Sequence, residues 1–401
     1  MDKGRLEAYQ RKFRAELLEN CAPFWMEHGW DQEHGGIYTY LARNGERCSA
    51  LKSVWAQGRF LWTLCRLCAQ YGVREEWMRA AESCKAFLDE HCIDKDGRMF
   101  FLVTGDGRPA RKRRYFFSEA FYIMGFAEYA LLTGDSEALQ KARDMYDFVL
   151  KIYKDPAADP HQVYPKFEPE TIETRALAGP MIMLNVSNIL RRCDPANAAR
   201  YDAGVKEYIA DVTGYFLSEE HRCVFETVGR DGRLLLDIPV GRVVNPGHSI
   251  EAAWFLLNEA RYFGDEVLTR KAVDILDWSL DLGWDRENGG LVYFVDRLGY
   301  PPEQYEHDMK LWWPQCEAVI AALMAYAATG EEQWAGWFER IADYAFRHFK
   351  DDGGPEWLGY LHKDNTRQLP IVKGNYFKGP LHLPRMLMTC DALIGELLAK
   401  G

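Results

Sequence analysis

The chain lacks any apolar run of the roughly 18 residues that a membrane-spanning helix needs, although 48% of its 401 residues are hydrophobic. Its first twenty residues, MDKGRLEAYQRKFRAELLEN, are charged throughout and have no apolar core of a secretory leader. The expected compartment is therefore the cytoplasm, with no membrane partner. Basic charge is scarce: 49 Lys+Arg stand against 60 Asp+Glu, a net charge of −11. The densest basic run, Arg111-Lys112-Arg113-Arg114, is far short of the stripe that nucleic-acid binding demands and reads as a solvated loop leading into a helix. Ten cysteines are present, yet only Cys65 and Cys68 form a CxxC, and no second pair follows at zinc spacing. Both lie in the apolar stretch LWTLCRLCAQY, which predicts buried, reduced thiols. There is no GxSxG, no GxGxxG opening a helix, no GxxxxGK[ST] and no HExxH. Those absences remove the sequence signatures of serine hydrolases, dinucleotide sites, phosphate loops and zinc proteases.

What the chain does have is aromatic residues and repetition. Aromatics make up 14%, with 13 Trp and 21 Tyr; such rings often floor sugar-binding clefts, because their apolar faces match the C–H face of a pyranose. A helix stop followed by a short strand-like excursion recurs at Asp31–Tyr40, Asp94–Phe101, Glu219–Glu226, Asp285–Phe294 and Asp351–Tyr360. Between the excursions two kinds of helix alternate. One kind is amphipathic, as in Leu6, Tyr9, Phe13 and Leu17, or in Trp334, Trp337, Ile341, Tyr344 and His348. The other kind is apolar nearly all round and must be buried on every side. It begins near Lys52, Arg114, Glu173, Pro246, Lys310 and Lys378, a period of about sixty-five residues. Six buried helices alternating with six amphipathic ones predict an all-α fold. It is an (α/α)6 barrel of six inner and six outer helices, with short β excursions in the loops, forming a single domain over residues 1–401. An open solenoid is the alternative, but no polar capping repeat stands at either end.

In such a barrel the inner helices run parallel, so their N-termini and positive dipole ends converge on one mouth. Polar residues early in the inner helices are thus the candidates. They are Arg59 in the first; Asn185, after Met181, in the third; His248 and Glu251, three apart, in the fourth; Gln315 and Glu317, after Trp312 and Trp313, in the fifth; and Lys378, His382 and Arg385 in the sixth. A metal reading would take His248, Glu251 and His382, with His307, but no ligand spacing supports it. A glycosidase would need two facing carboxylates, for which Glu251 and Glu317 compete with Glu168, Glu170 and Glu173. Two histidines from different inner helices suggest proton transfer near neutral pH.

The stretches FWMEHGWDQEHGGIYTYL (24–41), LKSVWAQGRFLW (51–62), NPGHSIEAAWFL (245–256), KLWWPQCEA (310–318) and FKGPLHLPR (377–385) resemble the N-acylglucosamine 2-epimerase family, which includes the renin-binding protein. Cellobiose 2-epimerases and mannose isomerases share that family's fold and paired histidines. The segment Met181-Ile-Met-Leu-Asn185 and the pattern Lys378-Gly-x-x-His382-x-Pro-Arg385 lean toward the N-acylglucosamine branch. The resemblance implies interconversion of N-acetylglucosamine and N-acetylmannosamine by deprotonation and reprotonation at C2 of the open-chain sugar. It casts His248, His382, Arg59, Glu251 and Glu317 as catalytic, and Asn185, Arg385, Trp312, Trp313, Gln315, Lys378 and Met181 as substrate contacts. It further implies a homodimer, with no cofactor in the chemistry and ATP as a candidate allosteric activator.

Overall fold

Helix boundaries follow local chemistry. Asp135, Asn245 and Asp265 each accept a backbone N–H from the first turn that follows, and Pro246 occupies a position where its missing N–H costs nothing. Gly134, Gly264 and Gly330 close three helices in the left-handed conformation that glycine adopts without strain. The computed structural model describes residues 1–113, 115–161 and 166–400. Among them run twelve long helices: α1 (Lys3–Ala15), α2 (Val54–Tyr71), α3 (Glu75–His91), α4 (Phe117–Thr133), α5 (Ser136–Lys154), α6 (Ala178–Cys193), α7 (Ala198–Asp211), α8 (Pro246–Phe263), α9 (Glu266–Gly283), α10 (Trp312–Thr329), α11 (Glu332–His348) and α12 (His382–Lys400).

The even-numbered helices form a closed inner ring, α2 to α4 to α6 to α8 to α10 to α12 and back to α2. Each odd-numbered helix covers the ring from outside, and α1 closes the layer by packing on α12. This is the (α/α)6 barrel expected from the alternation. Outer helices bury one face: on α11 Trp334, Phe338, Ile341 and Ala345 are buried while Gly336 and Arg340 face water. Each fully buried large apolar side chain contributes about 1.5–3 kcal/mol. The apolar residues form one continuous cluster from Leu6 to Ile394, and Cys65 and Cys68 sit inside it as free thiols. Inner helices α2 and α4 approach closely because Gly58 and Gly125 face each other; a Cβ on Gly58 would stand 2.3 Å from the Phe121 carbonyl oxygen. Arg114, the last residue of the basic run, lies outside the described residues. Lys112 in that run is paired with Asp94 (2.7 Å) and Asp96 (2.5 Å).

Short antiparallel pairs collar the ring at the N-terminal ends of the inner helices. They join Leu51–Ser53 to Leu102–Thr104, Thr174–Ala176 to Thr227–Gly229, Val243–Val244 to Val295–Asp296, Lys310–Leu311 to Tyr360–Leu361, and Leu41–Ala42 to Val372–Gly374. Three excursions share one internal staple. Lys52 Nζ reaches Asp31 (2.7 Å), Lys310 reaches Asp285 (2.8 Å) and Lys373 reaches Asp351 (2.9 Å), all three lysines being fully buried. Five residues after each lysine a second side chain grips the same excursion. Gln57 bonds the backbone N–H and C=O of Ile37, and Gln315 bonds those of Leu291. In the third copy Lys378 holds Glu356 (2.7 Å), whose Oε1 accepts the Trp357 N–H.

Candidate active site

A cavity of about 670 Å³ opens where the inner helices begin. The N-terminal halves of all six supply its wall: Trp55 and Arg59 (α2), Phe117 and Phe121 (α4), Met181 and Asn185 (α6), His248 and Glu251 (α8), Trp312 and Trp313 (α10), His382 and Arg385 (α12). The collar adds Tyr40, Tyr293, Glu306, Tyr360 and Asn375. Their hydroxyl and amide groups suit sugar hydroxyls, but in the sequence they are ordinary loop residues.

Both imidazoles pack against one indole. The Trp313 ring centroid is 5.1 Å from that of His248 and 5.6 Å from that of His382. Gly247 makes the seat possible, since a Cβ there would stand 2.6 Å from the Trp313 ring. Each imidazole is held at Nδ1 by a carboxylate. His248 Nδ1 lies 3.0 and 3.1 Å from the two oxygens of Glu226, and His382 Nδ1 lies 2.7 Å from Glu317 Oε1. Each carboxylate fixes the ring, and Nε2 is the nitrogen left for the cavity.

The surroundings of the two rings differ in charge. Burial works to lower the pKa of His248, but the Glu226 carboxylate, seconded by Glu251, raises it above the usual histidine value. Burial also lowers His382, and here Arg385 and Arg59 reinforce it, so this ring sits well below the usual value. Arg385 Nη2 donates to Glu251 Oε1 (2.5 Å) and lies 2.8 Å from Glu317 Oε1. Trp254 Nε1 donates to the other oxygen of Glu317 (2.8 Å). Arg59 differs from Arg385: among the described residues it has no carboxylate partner. Its Nη1 donates to the Phe377 carbonyl (3.1 Å), its guanidinium lies 4.0 Å from the Phe121 ring centroid, and its buried Nε has no partner. Burial, with Arg385 adding to it, lowers its pKa to about 9, so it remains a cation at neutral pH.

Several sequence-based assignments change. Gln315 does not line the cavity; it is fully buried and spent on the Leu291 backbone, as Gln57 is on Ile37. Lys378 is likewise fully enclosed against Glu356 and the Lys373 carbonyl, so it is no substrate contact. Glu317 stands behind the wall, holding His382 and Arg385, and does not reach the cavity. The carboxylate that orients His248 is Glu226, while Glu251 is held by Arg385. The sequence reading missed Glu226 because it ends a loop excursion crowded with acidic residues.

Glu251, Glu317 and His382 have potential ligand atoms within 4.8 Å of one another, but Arg385 already binds both carboxylates, which puts a cation where a metal would sit. Glu317 does not line the cavity, so it does not flank a bound sugar with Glu251 as a glycosidase pair would. Glu168, Glu170 and Glu173 are exposed on the loops. Replacing Arg385 with Met is expected to destabilise the fold by about 3–5 kcal/mol, since it strands two buried carboxylates. A shift of the urea denaturation midpoint measures this.

The family model for N-acylglucosamine 2-epimerase (GlcNAc 2-epimerase) matches residues 35–377. The chain is 37% identical over 408 residues to N-acylglucosamine 2-epimerase of Rattus norvegicus, spanning 100% of this chain and 96% of the rat protein. The chain belongs to the N-acylglucosamine 2-epimerase family. It is 25% identical to the cellobiose 2-epimerase of Ruminococcus albus, over 97% of this chain and 98% of that one. The solved structure of cellobiose 2-epimerase from Spirochaeta thermophila DSM 6192 overlays with a TM-score of 0.84 at 22% identity, covering 99% of both chains. The rat protein is thus matched along the whole chain, and the higher identity falls on the branch to which the Met181–Asn185 segment and the Lys378–Arg385 pattern leaned. No helix is long and apolar enough to cross a membrane among the described residues.

Proposed function

We propose that this chain is an N-acyl-D-glucosamine 2-epimerase, an isomerase that interconverts N-acetylglucosamine and N-acetylmannosamine. One observation carries the reading at the level of chemistry: imidazoles from α8 and α12 border one cavity, each held through Nδ1 by its own carboxylate. The hydrogen on C2 is acidic only while C1 is an open-chain aldehyde. One imidazole removes that proton, negative charge moves to O1, and the other imidazole delivers a proton to the opposite face, inverting C2. Each acid–base role supplies about 10²–10⁴-fold. Arg59, a cation with no carboxylate partner among the described residues, stabilises O1 in this reading. Glu251 assists ring opening from the cavity wall, while Asn185, Met181, Trp312, Trp313 and Arg385 contact the sugar.

The reading extends to a single catalytic domain over 1–401, a cytoplasmic homodimer, and chemistry that draws on no cofactor. ATP remains the candidate activator. The cavity does not suit a triphosphate, because Glu251 and Glu306 line it and one of its two arginines is already paired. No step is therefore routed through a nucleotide.

The test is incubation in D2O with N-acetylglucosamine, mannose or cellobiose, followed by NMR. Deuterium at C2 of N-acetylglucosamine together with new N-acetylmannosamine is the expected result. A ketose product would make the chain an aldose–ketose isomerase, and a response to cellobiose alone would move it to that branch. Unlabelled C2 in all three would sink the proposal.

A further inference from the structure

The two imidazoles are held in similar ways but charged differently, and the difference comes from a residue outside the inner ring. Glu226 lies in the loop between α7 and α8, and its backbone is pinned on two sides. Its N–H donates to the Val243 carbonyl (3.2 Å), and its own carbonyl accepts the Leu177 N–H (3.0 Å). Those anchors place its carboxylate between the beginnings of α6 and α8. Both oxygens converge on His248 Nδ1, and among the described residues no lysine or arginine pairs with them. Among those residues no cation competes with the imidazole for its negative charge. Glu317, the counterpart at His382, is already shared with Arg385 and Trp254. Around His382 two arginines and two glutamates cancel, so a proton there would add a net positive charge to a buried site.

We propose that Glu226 is a positioning residue of this reaction: it holds the His248 ring with Nε2 toward the cavity and keeps it protonated in the resting enzyme, so that His248 enters turnover as the proton donor and His382 as the acceptor. The proposal deepens the epimerase reading and rests on it. In the first half-turnover His382 Nε2 takes the C2 proton while the electron pair passes to O1. The electron pair then returns to C2, which takes the Nε2 proton of His248 on the opposite face. The enzyme is left with His382 protonated and His248 neutral; release of a proton from His382 to solvent and uptake of one by His248 reset it. The groups facing His248 all fit this assignment. Glu226 comes from the loop and Glu251 from its own helix; His382 comes from α12; Tyr293 is a phenol that burial keeps protonated; Glu306 lines the cavity with it. Among the described residues no cation is directed at His248, whereas Arg59 and Arg385 both bear on His382.

The test is Glu226→Gln, which keeps an acceptor for Nδ1–H and removes the charge. Two readouts apply: the pH profile of kcat/KM in both directions, and the ring titrations of ¹³C-labelled histidines, with His248 assigned by its loss in His248→Gln. The unsubstituted protein should show His248 titrating above His382. In Glu226→Gln the His248 titration should fall by about one pH unit or more. The alkaline limb of kcat/KM should fall with it, equally in both directions because the reaction equilibrium is unchanged. Glu226→Asp, which keeps the charge, should restore part of the limb. A His248 titration that does not move overturns the proposal, and so does a moved titration with an unmoved alkaline limb. If the unsubstituted protein exchanges no C2 hydrogen, the epimerase reading fails, while the ring titrations still decide what Glu226 does to His248.

Discussion

Alanine in place of His248 or His382 is expected to lower epimerisation by about 10²–10⁴-fold each while leaving the fold intact. The two losses should differ in kind. With one imidazole gone, the other still faces one side of C2. Each variant should therefore exchange deuterium into the epimer whose C2 hydrogen points at the surviving ring, and form little of the other epimer. The two variants should label opposite epimers. A single-base mechanism would instead show one variant dead in both exchange and inversion and the other close to normal. Fold retention follows from the supporting contacts. Without His382, Glu317 still has Arg385 and Trp254; without His248, Glu226 remains partly exposed to water. Near-normal turnover in either variant, measured by NMR in D2O, would remove that histidine from the chemistry.

Arg59→Met is expected to lower kcat by about 10²–10³-fold, the size seen when one donor to a developing oxyanion is lost, with little change in stability. The two arginines of the cavity are thereby separated. Arg385 neutralises two carboxylates and supports the structure, whereas Arg59 pairs with no carboxylate among the described residues and lies over Phe121, a contact that methionine can partly keep. Arg59→Lys should recover only part of the rate, because an ammonium neither stacks on the ring nor presents a planar fork of donors. Parallel measurement of kcat and the denaturation midpoint checks both halves. A rate within a few-fold of the parent would take O1 stabilisation away from Arg59, and a large loss of stability would assign it a structural role.

The barrel was legible because burial leaves a mark on every residue of a helix. A helix enclosed on all sides shows no polar stripe, so α4 and α10 announce themselves in Phe117–Thr133 and Trp312–Thr329 with no knowledge of the neighbours. Six such helices alternating with six amphipathic ones allow few closed arrangements. The same logic brought out Arg59, Asn185, His248, Glu251, His382 and Arg385, polar residues early in buried helices, which the tertiary structure gathers round one cavity.

That logic cannot tell a polar side chain that faces a cavity from one that satisfies a buried backbone. Gln315 and His382 look equally out of place in their helices, yet Gln315 is turned outward to bind Leu291 and His382 inward to the ring. Nor can it find a partner that arrives from a loop. Glu226 is one acid among several in a polar excursion, and only the pairing of its backbone with Val243 and Leu177 brings it to His248. Sequence alone determined the barrel, the family resemblance and the pair of histidines, because these follow from patterns along single helices. The protonation of that pair, and the separate duties of the two arginines, were decided only by tertiary structure, because electrostatic effects depend on distances between segments that are far apart in the chain.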